Sequence, residues 1–177
     1  MKYHNYKTVF FGGLLVVLTG LIVYALSLQS IRNDSLTMDE LAHTPAAYSY
    51  IVENDYRLNP EHPPLLKLLA GGGIWLGSVI TGTEVIPPSQ SEYWQGPNQQ
   101  WDVGVDFFYN LGNDPRFLML WSRIPMILLS VFGALYLYFA TLHHAKSVTI
   151  ATLTGIGFLT SINVVAHTRY VTTDVGI

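Results

Sequence analysis

Residues 8–28, "TVFFGGLLVVLTGLIVYALSL", carry no charge, and this run constrains the chain more than any other feature. A helix needs roughly 20 apolar residues to cross a bilayer. The run meets that length, and in water it would need covering on every side. Composition points the same way. Only 12% of the 177 residues are charged, where soluble domains carry roughly a quarter. The expectation is an all-α integral membrane protein.

Two more stretches fit a span. One is about 117–142, "FLMLWSRIPMILLSVFGALYLYFATL", with Arg123 and Pro125 near its start. The other is about 147–166, "SVTIATLTGIGFLTSINVVA", richer in Thr and Ser but uncharged. The first run exceeds the roughly 7–15 residues of a signal-peptide core, and no small-residue cleavage site follows it, so it reads as an uncleaved anchor.

Flanking charge orients these spans. Lys2 and Lys7 precede the first, and His143, His144 and Lys146 lie in the turn between the second and third. Basic flanks mark the cytoplasmic side. The long loop of about 29–116 is therefore expected on the extracytoplasmic face of an inner, plasma membrane, and with Asp174 it holds every Asp and Glu. The net charge of −3 gives no reason to invoke nucleic acid. The absence of cysteine excludes disulfides and thiolate metal sites.

A loop of about 88 residues is too long to be structureless, and juxtamembrane helices are expected in it. Thr37 stands three residues before Glu40, the spacing of a capping box. Pro45 is expected to end or kink the first turn of that helix. "DYRLNPEHPP" reads as a turn-rich connector. "PLLKLLAGGGIWLGSVI" reads as a short interfacial helix with Pro63 and Pro64 in its first positions and Lys67 snorkelling to water. Trp94, Trp101, Phe107, Phe108 and Tyr109 either pack the loop onto the membrane or stack on a ligand.

Three clusters can carry chemistry. In "TMDELAH", Asp39 and His43 share a helix face, and Glu40 neighbours His43. A carboxylate beside a low-dielectric surface suits a general base, and a capped, solvated face fits the same residues. The zinc motif HExxH is excluded because Asp39 stands where its first His belongs. In "NPEHPPLLK", Glu61 and His62 precede a helix start, a natural anion site or an ordinary proline turn. In "HTRYVTTD", Arg169 is either a phosphate ligand or the ion partner of Asp174. All three clusters are expected on one face of the membrane, the layout an enzyme acting on a lipid-linked phosphate needs.

These residues resemble a known family. "DELAHTPAAYSYIVENDYRLNPEHPPLLKLLA" is similar to the first outer loop of bacterial members of the dolichyl-phosphate-mannose–protein mannosyltransferase family, glycosyltransferase family 39. "FFYNLGNDPRFLMLWSRIPM" resembles the family's approach to its second span, with Arg123, Pro125 and Met126 in an "R.PM" pattern. "GFLTSINVVAHTRYVTTDVG" resembles its "FSPN..AHGRLVTTD" stretch, departing at Thr160, Ile162 and Thr168.

The resemblance implies the N-terminal portion of a GT-C fold over residues 1–177, an inverting transferase that moves a sugar from a polyprenyl-phosphate donor to a hydroxyl of a protein or glycolipid acceptor. It implies Asp39 as catalytic base with Glu40 setting its environment. Glu61, His62, His43 and Arg169 would lie near the donor phosphate, with Asp174 as a second acid. A divalent ion, with Glu61 and Asp174 as ligands, is an option within it. Family members are longer and have more spans, so the missing C-terminal spans are expected as further chain or as a partner. The competing expectation is a non-catalytic membrane subunit or adaptor that binds through its outer loop. A small ion-handling protein is disfavoured, because the expected span cores carry essentially no charge.

Overall fold

The computed structural model describes residues 5–172, and the described residues form helices joined by turns, without strands. Lys2 and Asp174 lie outside them. The first helix, α1, covers Tyr6–Ile31, with the Asn5 side chain accepting from the Lys7 amide at its start. Helix α2 covers Met38–Val52, α3 Pro64–Thr81, and the one-and-a-half-turn α4 Gln100–Val105. A single π turn, Asp106–Asn110, follows α4. Helix α5 covers Pro115–Ala145, α6 Val148–Thr160 and α7 Ile162–His167.

Helix α5 is the spine. Tyr138 Oη donates to the Val9 carbonyl, and Arg123 Nη1 donates to the Ile31 carbonyl, so α1 and α5 run antiparallel. Gly12 of α1 lies against Val148 and Thr152, and Gly20 lies against Leu159, so α6 runs parallel to α1. Val16, Ala134, Tyr138, Ala151 and Leu159 form the core of this three-helix half. The N-terminal half of α5 packs on α2 and α3 through Met126, Leu118, Ala47, Ala70 and Ile74. One end of the bundle therefore gathers the end of α1, the start of α2 and residues 167–172. The other holds the start of α1 and the α5–α6 turn.

Among the described residues three helices are long and apolar enough to cross a membrane: α1, α3 and α5. The third differs from the expected one. The 147–166 stretch breaks at Ser161, whose backbone leaves the helical region (φ −61°, ψ 128°) to end α6 and begin α7. The 13 residues of α6 rise about 20 Å, against a hydrocarbon thickness of about 30 Å.

Helix α3 is the helix expected to start at Pro63 and Pro64. It is 18 residues long, is capped at Gly82 in the left-handed region (φ 72°), and is packed rather than lying loose. A methyl at Gly71 would overlap the Ala47 carbonyl, and one at Gly73 the Trp121 carbonyl, so these glycines let α3 close on α2 and α5. Lys67 does not snorkel. It is 1% exposed, and its ammonium donates to the Asn59 carbonyl and to Tyr50 Oη.

Pro45 does not end α2 either, for the helix runs through it. Lacking an N–H, it leaves the Leu41 carbonyl without its usual helical donor. Gly104 of α4 sits directly on that carbonyl, where any side chain would collide. Phe107 and Phe108 are fully buried between Tyr48, Ile74 and Leu118, which settles their packing role.

Candidate functional site

The capping box forms as its spacing predicts. Thr37 Oγ1 accepts from the Glu40 amide at 3.4 Å, and Glu40 Oε2 accepts from the Thr37 amide at 3.0 Å. This start fixes the helical phase of α2. Glu40 turns inward and is 1% exposed, while Asp39 next to it stays exposed. One helical turn on, His43 faces the same way as Asp39.

Asp39, His43, Glu61 and His62 line one cavity of about 140 Å³. The 59–64 turn closes over α2 and brings Glu61 and His62 in from 18 or more positions away. The His43 and His62 rings meet edge-on with centroids 5.4 Å apart. Gln100 and Trp101, at the start of α4, complete the wall.

Asn59 holds the cavity together. Its carbonyl oxygen receives Tyr50 Oη at 2.9 Å and the Lys67 ammonium. Its side-chain NH2 donates to Gln100 Oε1 at 2.6 Å. The amide oxygen therefore faces His43 Nδ1, 3.1 Å away, and only a protonated Nδ1 can donate to it. That leaves Nε2 as the lone-pair nitrogen. Burial, followed by the Lys67 and His62 charges, lowers the His43 pKa below its usual value, against the weaker pull of Asn59 and Asp39. Near neutral pH His43 is an uncharged imidazole with a basic Nε2, four residues from the Asp39 carboxylate.

Glu40 stands elsewhere, which corrects its expected place beside the base. Arg123 Nε donates to Oε1 and Nη2 to Oε2, each at 2.7 Å. The Val171 amide adds a third donor to Oε1 at 3.1 Å. Arg123 also reaches the carbonyls of Ile31, Asp34 and Ser35. With its oxygens occupied and no exposure, Glu40 joins α2 to α5, the 31–35 turn and residue 171. It does not set the environment of Asp39 by contact.

Arg169 likewise lies apart from the Asp39 cavity. Its Nη1 donates to Ser30 Oγ at 2.6 Å and pairs with Asp34 at 3.6 Å. It closes one end of a second cavity, about 290 Å³, walled by Val23, Leu26, Leu159 and Val165. Among the described residues its buried Nε has no partner. The structure thus joins four of the expected site residues and sets Arg169 at the same end of the bundle in a separate, apolar recess. Among the described residues no three His, Asp or Glu side chains converge to hold a metal ion. Glu61 faces the cavity, and Asp174 lies outside the described residues.

Asn59 and Gln100 are not singled out by the sequence reasoning, and Arg123 is named there only for its place near a span and in the "R.PM" pattern, not as the partner of Glu40. Arg123 carried a signal, since a lone charge in an apolar run needs a partner. Gln100 carried none. Comparison of the chain with protein-family models, with curated proteins and with solved structures finds no match.

Proposed function

We propose that this chain carries the outer-loop site of a glycosyltransferase that uses a polyprenyl-phosphate sugar on the extracytoplasmic face of the plasma membrane. The observation that carries this reading is the shared cavity. An exposed carboxylate, Asp39, and an uncharged imidazole, His43, face one polar recess at the bundle end where Arg169 closes an apolar one.

In the proposed reaction Asp39 takes the proton of an acceptor hydroxyl. The hydroxyl oxygen bonds to the anomeric carbon from the face opposite the leaving group. The carbon–oxygen bond to the phosphate breaks, and the configuration inverts. The electron pair leaves with the polyprenyl phosphate. In this reading the donor lies across both recesses, its sugar at Asp39 and its phosphate at Arg169, whose guanidinium offsets that charge, while the apolar wall from α1 and α6 takes the first isoprene units. His62 and Nε2 of His43 hold sugar hydroxyls. Developing charge met by prepositioned donors gives the main rate gain. Trp101, 37% exposed on the cavity wall, offers a ring face to the C–H face of a sugar, whose edge charge complements the ring quadrupole.

The test is the chain in nanodiscs with tritiated polyprenyl-phosphate mannose and hydroxyl acceptors. Expected are donor retention by the wild type, label transfer, and loss of transfer by about 100-fold or more in Asp39→Asn with donor retention intact. Unchanged transfer in Asp39→Asn removes Asp39 as base. No donor retention by the wild type removes the whole reading and leaves the adaptor reading standing.

A further inference from the structure

A further cavity lies at the opposite end of the bundle, about 640 Å³ between α1 and α6, away from both recesses described above. Its α1 wall is Thr8, Phe11, Gly12 and Leu15, a single helix face at i, i+3, i+4 and i+7. The α6 wall presents Thr149 and Leu153. The floor is tight: at Gly12 an added methyl would meet Thr152, Val148 and Tyr138. The cavity is a lateral groove in which Phe11, Leu15, Val148 and Leu153 alternate with Thr8, Thr149 and Thr152, and Lys146 and Ser147 stand at its mouth.

The mouth is positive. Lys146 caps α5 in the left-handed region (φ 50°) and is exposed. Lys7 precedes Thr8 in the first turn of α1, and His143 and His144 end α5. Among the described residues every Asp and Glu lies between positions 34 and 114, in the segment joining α1 to α5 at the other end. The groove mouth therefore meets no competing carboxylate from α1, α5 or α6.

We infer that this groove holds one anionic glycerophospholipid, its phosphate at Lys146 and an acyl chain along Phe11, Leu15 and Leu153. Apolar side chains exposed between α1 and α6 select a lipid tail, and a mouth with cations alone selects an anionic head. An anionic leaflet draws juxtamembrane Lys and Arg toward it, and each is worth about a fivefold gain in binding. The site needs α1 to span the membrane, and it is independent of any transferase activity.

Native mass spectrometry of the full chain, released from nanodiscs of equimolar phosphatidylcholine and phosphatidylglycerol, reads the occupant. Retained phosphatidylglycerol in excess of phosphatidylcholine is expected. Lys146→Asn removes the charge while keeping a residue that tolerates the left-handed cap. It should cut phosphatidylglycerol retention about fivefold. Thr149→Phe fills the groove from an exposed position and should lower retention of both lipids. Equal retention of the two lipids by the wild type, or retention unchanged in both variants, overturns the inference. So does a thermal shift with inorganic phosphate alone that matches the shift with phosphatidylglycerol, since that outcome makes the site a small-anion site.

Discussion

Arg123 grips Glu40 with two parallel hydrogen bonds of 2.7 Å, and neither side chain is exposed beyond 1%. A buried pair of this kind is costly to break and less costly to replace, because removing one partner strands the other charge without water. Glu40→Gln or Arg123→Leu should destabilise the chain by about 3–5 kcal/mol. The double variant Glu40→Leu with Arg123→Leu should recover much of that loss. Thermal unfolding of the detergent-solubilised protein measures both. Arg123→Lys should resemble Arg123→Leu, since an ammonium cannot make the paired contact.

That pair also shows what could be read in advance. The capping box, the helical loop, α1 and α5 follow from local spacing and apolar length, which are properties of neighbouring residues. Glu40 and Arg123 are 83 positions apart, and nothing local names the partner. The phase of α2 decides which of two adjacent acids is buried, and only packing against α5 shows that Glu40 turns inward. Lys67 was misplaced for a similar reason. An isolated Lys in an apolar helix snorkels if water is near, but the Asn59 carbonyl and Tyr50 hydroxyl give it an interior partner. The break at Ser161 is hard to place from hydropathy, because Phe158, Leu159, Ile162, Val164 and Val165 keep the stretch apolar around the polar Thr160, Ser161 and Asn163.

The glycine run in α3 makes a sharper test of that packing. Gly71 and Gly73 face backbone carbonyls that cannot move aside, while Gly72 faces open space. Gly71→Ala and Gly73→Ala should each cost about 1–3 kcal/mol through overpacking. Gly72→Ala should stabilise by about 0.5–1 kcal/mol, by helix propensity and a less free unfolded chain. Opposite signs at adjacent positions, read as unfolding midpoints, identify backbone contact as the cause. A uniform loss at all three would contradict it.

His43 predicts a pH dependence whose direction follows from its environment. Burial, with Lys67 and His62 close by, lowers its folded pKa below the ordinary 6.5, while the Asn59 bond and Asp39 oppose this weakly. Between the folded and unfolded values the unfolded chain binds more protons. The stability contributed by neutral His43 is therefore complete above about pH 6.5 and is lost as pH falls through the folded value. His43→Gln should flatten this acid limb of the unfolding midpoint. An NMR titration of the His43 ring should show a midpoint below the ordinary 6.5. An unshifted His43 midpoint would overturn burial and the Lys67 charge as the features that disfavour its charged ring.

Trp101 separates recognition from stability. Its indole is 37% exposed and lies on the same cavity as Asp39. Gln100 beside it holds Asn59, which in turn holds His43. Trp101→Ala should leave the unfolding midpoint within about 0.5 kcal/mol of wild type, as surface changes do. It should also weaken retention of tritiated polyprenyl-phosphate mannose about tenfold, on the order of one lost aromatic contact of about 1.4 kcal/mol. Trp101→Phe should keep most of that retention, since the ring face survives. Gln100→Leu acts on different chemistry. It removes the acceptor that orients Asn59, so it should move the His43 titration while leaving the Trp101 ring in place. If Trp101→Ala and Gln100→Leu lowered donor retention equally without moving His43, the wall of the cavity would be acting as a single packed surface. The division of labour drawn between stacking and imidazole tautomer would then fail.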